Sequence, residues 1–421
     1  MTSSSTESQP VRLIIDTDPG IDDAMAILAA FADPRVHVLA LTATYGNVDT
    51  ETAVRNACYL CDASGQNESV RVARGAPGPL CLNGAPATRI ASFVHGEDGF
   101  GNTRIFSQDI DHFDIRQEVE GGGGGGGSGS QPTTPRTPTR GTSGKATSSS
   151  SGNSSPTATP ERRCSLKHRA TSSGTSSRLE QGKTAADLIV EIVNAEPANT
   201  VTVLALGNLT NLCLALRQDA SIAKRIKDVV ILGGAFFTNG NVNPSAEANI
   251  HADAEAADEV FGSGAKCTVV GLDVTQKCVL SASQLDALGQ SGNADFVHRI
   301  SKFYLDFHRS SSGVDGIYLH DPTALLAATD PELFTFTSGP IRVVTEGVAM
   351  GCTIMDASGK SDRYKEGNPW HKRPLVKVAL QVDADAVTDK VFALLHLSGD
   401  VMVHRPIVDA MNAAKRGCVI M

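Results

Sequence analysis

No stretch of this 421-residue chain approaches the roughly 20 consecutive apolar residues that a membrane-spanning helix needs. The start, 1–10, is polar and rich in Ser and Thr and has no apolar core of a signal peptide, so secretion is not expected. Basic excess is missing as well. With 37 Lys and Arg against 46 Asp and Glu, the formal net charge of -9 argues against a nucleic-acid binder clothed in positive charge. Paired cysteine motifs are also lacking. Of nine cysteines only Cys58 and Cys61 form a close pair on a predicted helix, and no second pair completes a zinc pattern. Buried reduced thiols and a reducing, cytosolic compartment are therefore expected. Apolar residues nearly vanish over 117–178, where the glycine run 121–127 leads into a Ser, Thr, Pro and Arg-rich tract. Such a tract buries too little to offset chain entropy, so it reads as a disordered insertion. Its basic residues, Arg136, Arg140, Arg162, Arg163, Lys167 and Arg169, oppose the acidic body in sign. The Arg162-Arg163-Cys164-Ser165 run suits a kinase.

What remains is enough for one large core, with hydrophobic residues at 41%. Short runs rich in Val, Ile and Leu at 11–15, 36–42, 201–206, 229–232 and 266–272 read as strands. Helical patterns follow at 24–31, 51–63, 183–194, 210–217, 254–261 and 295–309. This alternation predicts an α/β fold: an open, mostly parallel, Rossmann-like sheet flanked by helices, with ligands at the carboxyl ends of the strands. The expected layout is a tail at 1–10, one domain formed by 11–116 with 179–412, the insertion at 117–178, and a tail at 413–421.

The densest chemistry is the run Asp16-Thr17-Asp18-Pro19-Gly20-Ile21-Asp22-Asp23, directly behind the first strand. Four carboxylates in one tight loop raise one another's pKa unless a cation or donors hold them ionised. An all-oxygen cluster suits a hard divalent ion, calcium before magnesium. Helix capping accounts for Asp22 and Asp23 but not for Asp16 and Asp18 upstream. Asn47, His95 in the Gly-rich stretch 94–101, the run from Asn241 to Asn249 including Glu247, and His320-Asp321-Pro322 add amides, acids and imidazoles. Several carboxylates and amides together can chelate vicinal hydroxyls, which sugars and other polyols present.

These motifs, with Thr44-Tyr45-Gly46-Asn47, resemble the inosine-uridine nucleoside hydrolase family over nearly the whole chain outside the ends and the insertion. The segments 242–250 and 372–378 look like its plant-type uridine nucleosidase branch. The resemblance implies hydrolysis of a ribonucleoside to ribose and free base, uridine favoured and inosine or xanthosine also accepted, with Ca2+ and as a homo-oligomer, dimer or tetramer. It implies side-chain ligands from Asp18, Asp23 and Asp321, a backbone carbonyl from Leu206, and Asp16 behind them. Asp18 would take the proton of the attacking water. Asp22 and Asn47 would hold the 2-hydroxyl, Asp321 and Asn249 the 3-hydroxyl, and Asn241 with Glu247 the 5-hydroxyl. His320, and secondarily His95, would assist the leaving base, and the 94–101 segment is expected to close over the substrate.

Ala248 stands where parasite members carry an aromatic, and Tyr304, Tyr318 and Trp370 are aromatics expected near the pocket. Two other readings compete with this one. A haloacid-dehalogenase-like phosphatase fits Asp16-Thr17-Asp18, but the accompanying amides and carboxylates suit hydroxyls and repel phosphate. A silent nucleoside-binding protein would be expected to lose Asp18 or a ligand. Finally, Cys418-Val419-Ile420-Met421, preceded by Lys415 and Arg416, has the C-a-a-X form of a farnesylation site, which would give reversible membrane contact.

Overall fold

The structure is a computed structural model that describes residues 10–80, 90–103, 105, 179–289, 292–358 and 363–398. The expected insertion at 117–178, the Cys418 motif and nearly all of the first tail lie outside the described residues. The elements below belong to the unit formed by Met1–Arg104 with Thr175–Met421; a second unit, Ile105–Gly174, lies almost wholly outside the described residues.

Nine strands make the main sheet: β1 Val11–Thr17, β2 Val36–Ala43, β3 Arg71–Arg74, β4 Leu179–Thr184, β5 Val201–Ala205, β6 Asp228–Leu232, β7 Cys267–Val270, β8 Phe334–Gly339 and β9 Val376–Val382. Their order is β8-β9-β7-β6-β5-β1-β2-β3-β4. Every neighbouring pair is parallel except β8 with β9 at one edge. Central strands covered on both faces read as unbroken apolar runs, and β5 is buried along its whole length. The chain leaves β1 toward β2 on one side and later returns to β5 on the other. That reversal opens a crevice at the carboxyl ends, where ligands bind in such sheets. The described core includes Ile14, Val203, Ile231 and Val269 from the sheet, with Leu188, Leu212 and Phe261 from covering helices.

Seven helices bear on the site: α1 Ile21–Ala32, α2 Thr50–Ala63, α3 Ser92–His95, α4 Ala248–Ala252, α5 Leu272–Thr275, α6 Gly292–Ser312 and α7 His320–Thr329. The apolar α1 is buried from Ile21 to Ala30, and its first turn carries Asp22 and Asp23. Several boundaries differ from those expected. Lys183 and Thr184 close β4 instead of opening a helix, because the Thr184 hydroxyl takes the Asp187 N–H and caps the helix Ala185–Ala195. Leu206 follows β5, and Leu272 opens α5 after the turn at Gly271. The helices α3, α4, α5 and α7 and the strands β3, β4, β8 and β9 toward the two ends of the sheet were not anticipated. Among the described residues, no helix is long and apolar enough to cross a membrane.

Candidate active site

The carboxyl end of β1 places Asp16 and Asp18, and the first turn of α1 places Asp22 and Asp23. Thr17 donates its hydroxyl to Asp23 Oδ1 at 2.5 Å. Gly20 N–H and Asn47 Nδ2 donate to Asp23 Oδ2 at 3.0 and 2.8 Å. Asp18 Oδ2 accepts the Asn47 N–H at 2.6 Å. Asp16, wholly buried, accepts Thr42 Oγ1 at 2.6 Å and Asn211 Nδ2 at 2.9 Å through Oδ1. Asp321 enters from the first turn of α7. One carboxylate oxygen each from Asp22, Asp23 and Asp321 lies within 4.8 Å of the others, a spacing that could hold a metal ion. Asp18 lies outside that trio.

Burial drives the carboxyls toward their neutral forms. It raises Asp16 to about 7 and, with the Asp23 charge, Asp22 to about 8. Burial and then the Asp23 charge lift Asp18 well above the usual range. Burial and then the charges of Asp22, Asp23 and Asp18 do the same to Asp321. Asp16 Oδ2, Asp18 Oδ1 and Asp22 Oδ1 are buried with no hydrogen-bond partner. Buried acceptors left unpaired are costly, so these oxygens await a ligand. Hard oxygen donors crowded with negative charge fit a divalent cation.

Around the acids the strand ends form a cleft of about 900 Å³ whose lining includes Asp18, Asp22, Asn47, His95, Asn241, Glu247, Asn249, His320 and Asp321. Leu206 lines it too, and its carbonyl accepts Asn249 Nδ2 at 2.5 Å. Glu247 caps α4: its carboxylate takes the N–H groups of Asn249, Ile250 and Gly234 at 2.9, 3.1 and 3.0 Å. Burial still raises its pKa. Asn241 Oδ1 accepts the Ala248 N–H at 2.9 Å, tying the 240–248 loop to the same helix. The structure thus brings together every expected site residue within the described chain, with Asp23 and Asp16 just behind the lining. The exception is Cys418, which lies outside the described residues.

One wall is aromatic. His308 contacts Tyr304 and Tyr318 edge-on, ring centroids 4.2 and 4.8 Å apart, and Tyr318 reaches His320 at 5.5 Å. Tyr304 donates to Asp22 Oδ2 at 3.3 Å. His308 was missed in the sequence. Its signal was the i, i+4 spacing from Tyr304, which puts both on one face of α6. Trp370, expected near the pocket, is not among its lining residues and packs near Tyr364, centroids 6.1 Å apart. Burial lowers His320 and His95 each to about 3, and His308 to about 4, so all three are neutral at physiological pH. His320 Nδ1 pairs with Thr275 Oγ1 at 2.7 Å, and His95 Nδ1 accepts the Ile21 N–H at 3.2 Å. The 94–101 segment packs against the body of the domain. Phe100 is fully buried, with the rings of Tyr59 and Phe296 at 6.1 and 5.2 Å.

Fold and site together define an α/β protein whose sheet edge carries a carboxylate-lined, cation-compatible cleft suited to polyols. Residues 13–389 match the model of the inosine-uridine preferring nucleoside hydrolase family, and the chain belongs to that family. It is 39% identical over 386 residues to Uridine nucleosidase 1 of Arabidopsis thaliana, covering 91% of this chain and 93% of that one. The inosine-uridine preferring nucleoside hydrolase of Leishmania major is 29% identical over 394 residues, 93% of this chain and 99% of its own. Among solved structures, a plant nucleoside hydrolase, the PpNRh1 enzyme, is similar with a TM-score of 0.70 and 36% identity, over 92% of this chain and 99% of that one.

Proposed function

We propose that this nucleoside hydrolase cleaves the N-glycosidic bond of ribonucleosides to ribose and free base, with uridine favoured over inosine and xanthosine and Ca2+ as its resident ion. The observation that carries the reading is the pair of buried, unpartnered oxygens, Asp18 Oδ1 and Asp22 Oδ1, on a cleft that also holds hydroxyl-binding amides and imidazoles. The likeness to a plant uridine nucleosidase supports the base preference. The catalytic domain in this reading is 11–116 joined to 179–412 around the insertion.

Asp23, Asp321, Asp18 and the Leu206 carbonyl are the residues that would hold calcium, with Asp16 behind them. Bound there, the ion would supply the positive charge that keeps the acids ionised, grips sugar hydroxyls and acidifies a water. The rest is work for the chain's own groups. Asp18 accepts the proton of a water whose oxygen attacks the anomeric carbon, while the electron pair of the C–N bond departs with the base. The transition state resembles an oxocarbenium ion, so the flanking carboxylates stabilise it by charge. Asp22 with Asn47, Asp321 with Asn249, and Asn241 with Glu247 orient the 2-, 3- and 5-hydroxyls. His320, aided by His95, donates a hydrogen bond to the departing base. Because burial keeps both imidazoles neutral, they act as N–H donors instead of as imidazolium acids.

The test is a panel of nucleosides assayed for free-base release, with calcium and in excess EGTA. Uridine is expected to turn over fastest, and chelation to silence every reaction. Full activity in EGTA sinks the metal assignment, and absence of base release from any ribonucleoside sinks the activity.

A further inference from the structure

A side chain with no role in the scheme above joins two walls of the site. Asn56, fully buried on α2, donates from Nδ2 to two backbone carbonyls, Pro19 O and Asp98 O, each at 2.9 Å. Pro19 follows Asp18 in the acidic loop, and Asp98 lies three residues past His95. The Asp98 carboxylate gathers its own segment, taking the N–H groups of Phe100 and Asn102 at 2.8 and 2.9 Å. A second tie is the Ile21 N–H bonded to His95 Nδ1 at the entry of α1.

Two glycines mark how closely the segments meet. A Cβ on Gly99, whose φ is +78°, would stand 2.7 Å from Asn56 Nδ2 and 2.8 Å from Pro19 O. One on Gly20 would stand 2.7 Å from His95 Nδ1 and 2.9 Å from Asn47 Nδ2. Only residues without a side chain allow these approaches. The far side of the His95 segment is held as well, since a Cβ on Gly101 would lie 2.9 Å from Ile300 O of α6.

We propose that Asn56 is a positioning residue that pins the acidic loop and the His95 segment into one rigid wall, so that Asp18, Asp22 and His95 meet the substrate already in place. The substrate in this statement rests on the function proposed above. The chemistry requires an amide. Its single nitrogen offers two N–H donors to two carbonyls, whereas a leucine of similar size offers none and an aspartate would repel both. With the clamp intact, the Asp98–Gly99 stretch behind His95 stays tied to the acidic loop, and catalysis gains from orientation set before binding.

The experiment compares full-length wild type with Asn56→Leu by hydrogen–deuterium exchange and by steady-state kinetics on uridine. Amides of 95–101 are expected to exchange at least about tenfold faster while those of β1 and β5 keep their protection. kcat is expected to fall about 10- to 100-fold, as displacements near 1 Å do, with KM within about threefold. Unchanged exchange at 95–101 overturns the proposal. So does acceleration spread equally through β1 and β5, the mark of a merely structural residue. Should Asn56→Leu fail to fold, Gly99→Ala, which drives a methyl against the same amide and carbonyl, carries the same two readings. Exchange needs no turnover, so a wild type inert toward nucleosides would refute the function while the clamp was still judged by its amides.

Discussion

Replacing Asp18 by Asn exchanges one carboxylate oxygen for an NH2, and the surroundings dictate which. Oδ2 accepts the Asn47 N–H at 2.6 Å, so the amide oxygen must take that position. The NH2 then falls where Oδ1 now stands, buried and without a protein partner. An acceptor on the cleft becomes a donor, and it can no longer take a proton from water. Loss of a general base costs about 10²- to 10⁴-fold in rate, or about 2.7–5.4 kcal/mol at 1.36 kcal/mol per decade. Stability is expected to move the other way. Burial and the Asp23 charge already hold the Asp18 carboxyl well above its usual pKa, so a neutral amide relieves repulsion. Initial rates of uracil release from saturating uridine measure the first effect, and thermal melting in EGTA the second. Turnover within threefold of wild type refutes Asp18 as base. A melting temperature several degrees below wild type refutes the account of crowded charge.

The fold's acid sensitivity should come from elsewhere. Asp330 is buried, yet hydrogen bonds from Arg35, Lys390 and Thr329 outweigh burial and hold its carboxyl below the usual range. A folded pKa depressed in this way contributes stability that is fully present above about pH 4 and fades as the pH drops further. Asp330→Asn is expected to cost about 1–2 kcal/mol at pH 7, a figure reduced because Arg35 and Lys390 are partly exposed. It should also flatten the stability profile below pH 4, and an unaltered acid limb in denaturant titrations would sink the assignment. Deleting 121–177 is expected to leave uridine turnover within about twofold, because that stretch carries few apolar residues to offer a core. Loss of cooperative unfolding in the shortened chain would contradict the proposed domain layout.

Much of this architecture was legible because its signals are local. The run at 36–42 is strand throughout and the run at 201–206 is strand up to Ala205, since a strand largely covered on both faces must be mostly apolar. The acidic loop was legible for the opposite reason: like charges so close in sequence must be close in space whatever the fold. Residues that act across elements were harder to see. Asn56 sits on an amphipathic helix, where an amide reads as solvent-facing, and only the docking of the 92–103 segment reveals its two carbonyl partners. His308 is one of eleven histidines, and its place in the site becomes plain only with α6 lying beside Tyr318. The four-residue strand β3 is too short for its alternation to stand out.

Three buried carboxylate oxygens of the site, on Asp16, Asp18 and Asp22, do nothing for the fold that carries them. Buried carboxylates with unpaired oxygens destabilise a free protein. The surrounding groups hold them instead of dispersing them. Thr17, Gly20 and Asn47 aim Asp23, while Thr42 and Asn211 aim Asp16. Each of these donors comes from the carboxyl end of β1 or β2, from the turn that follows it, or, for Asn211, from the first turn of the helix after β5. A sheet edge that spends so many donors orienting repelling charges is arranged for a state in which a cation and sugar hydroxyls fill the remaining acceptors. On this view the fixed His95 wall and the crowded acids are one device: the scaffold supplies the order, and the ligand supplies the missing charge and hydrogen bonds.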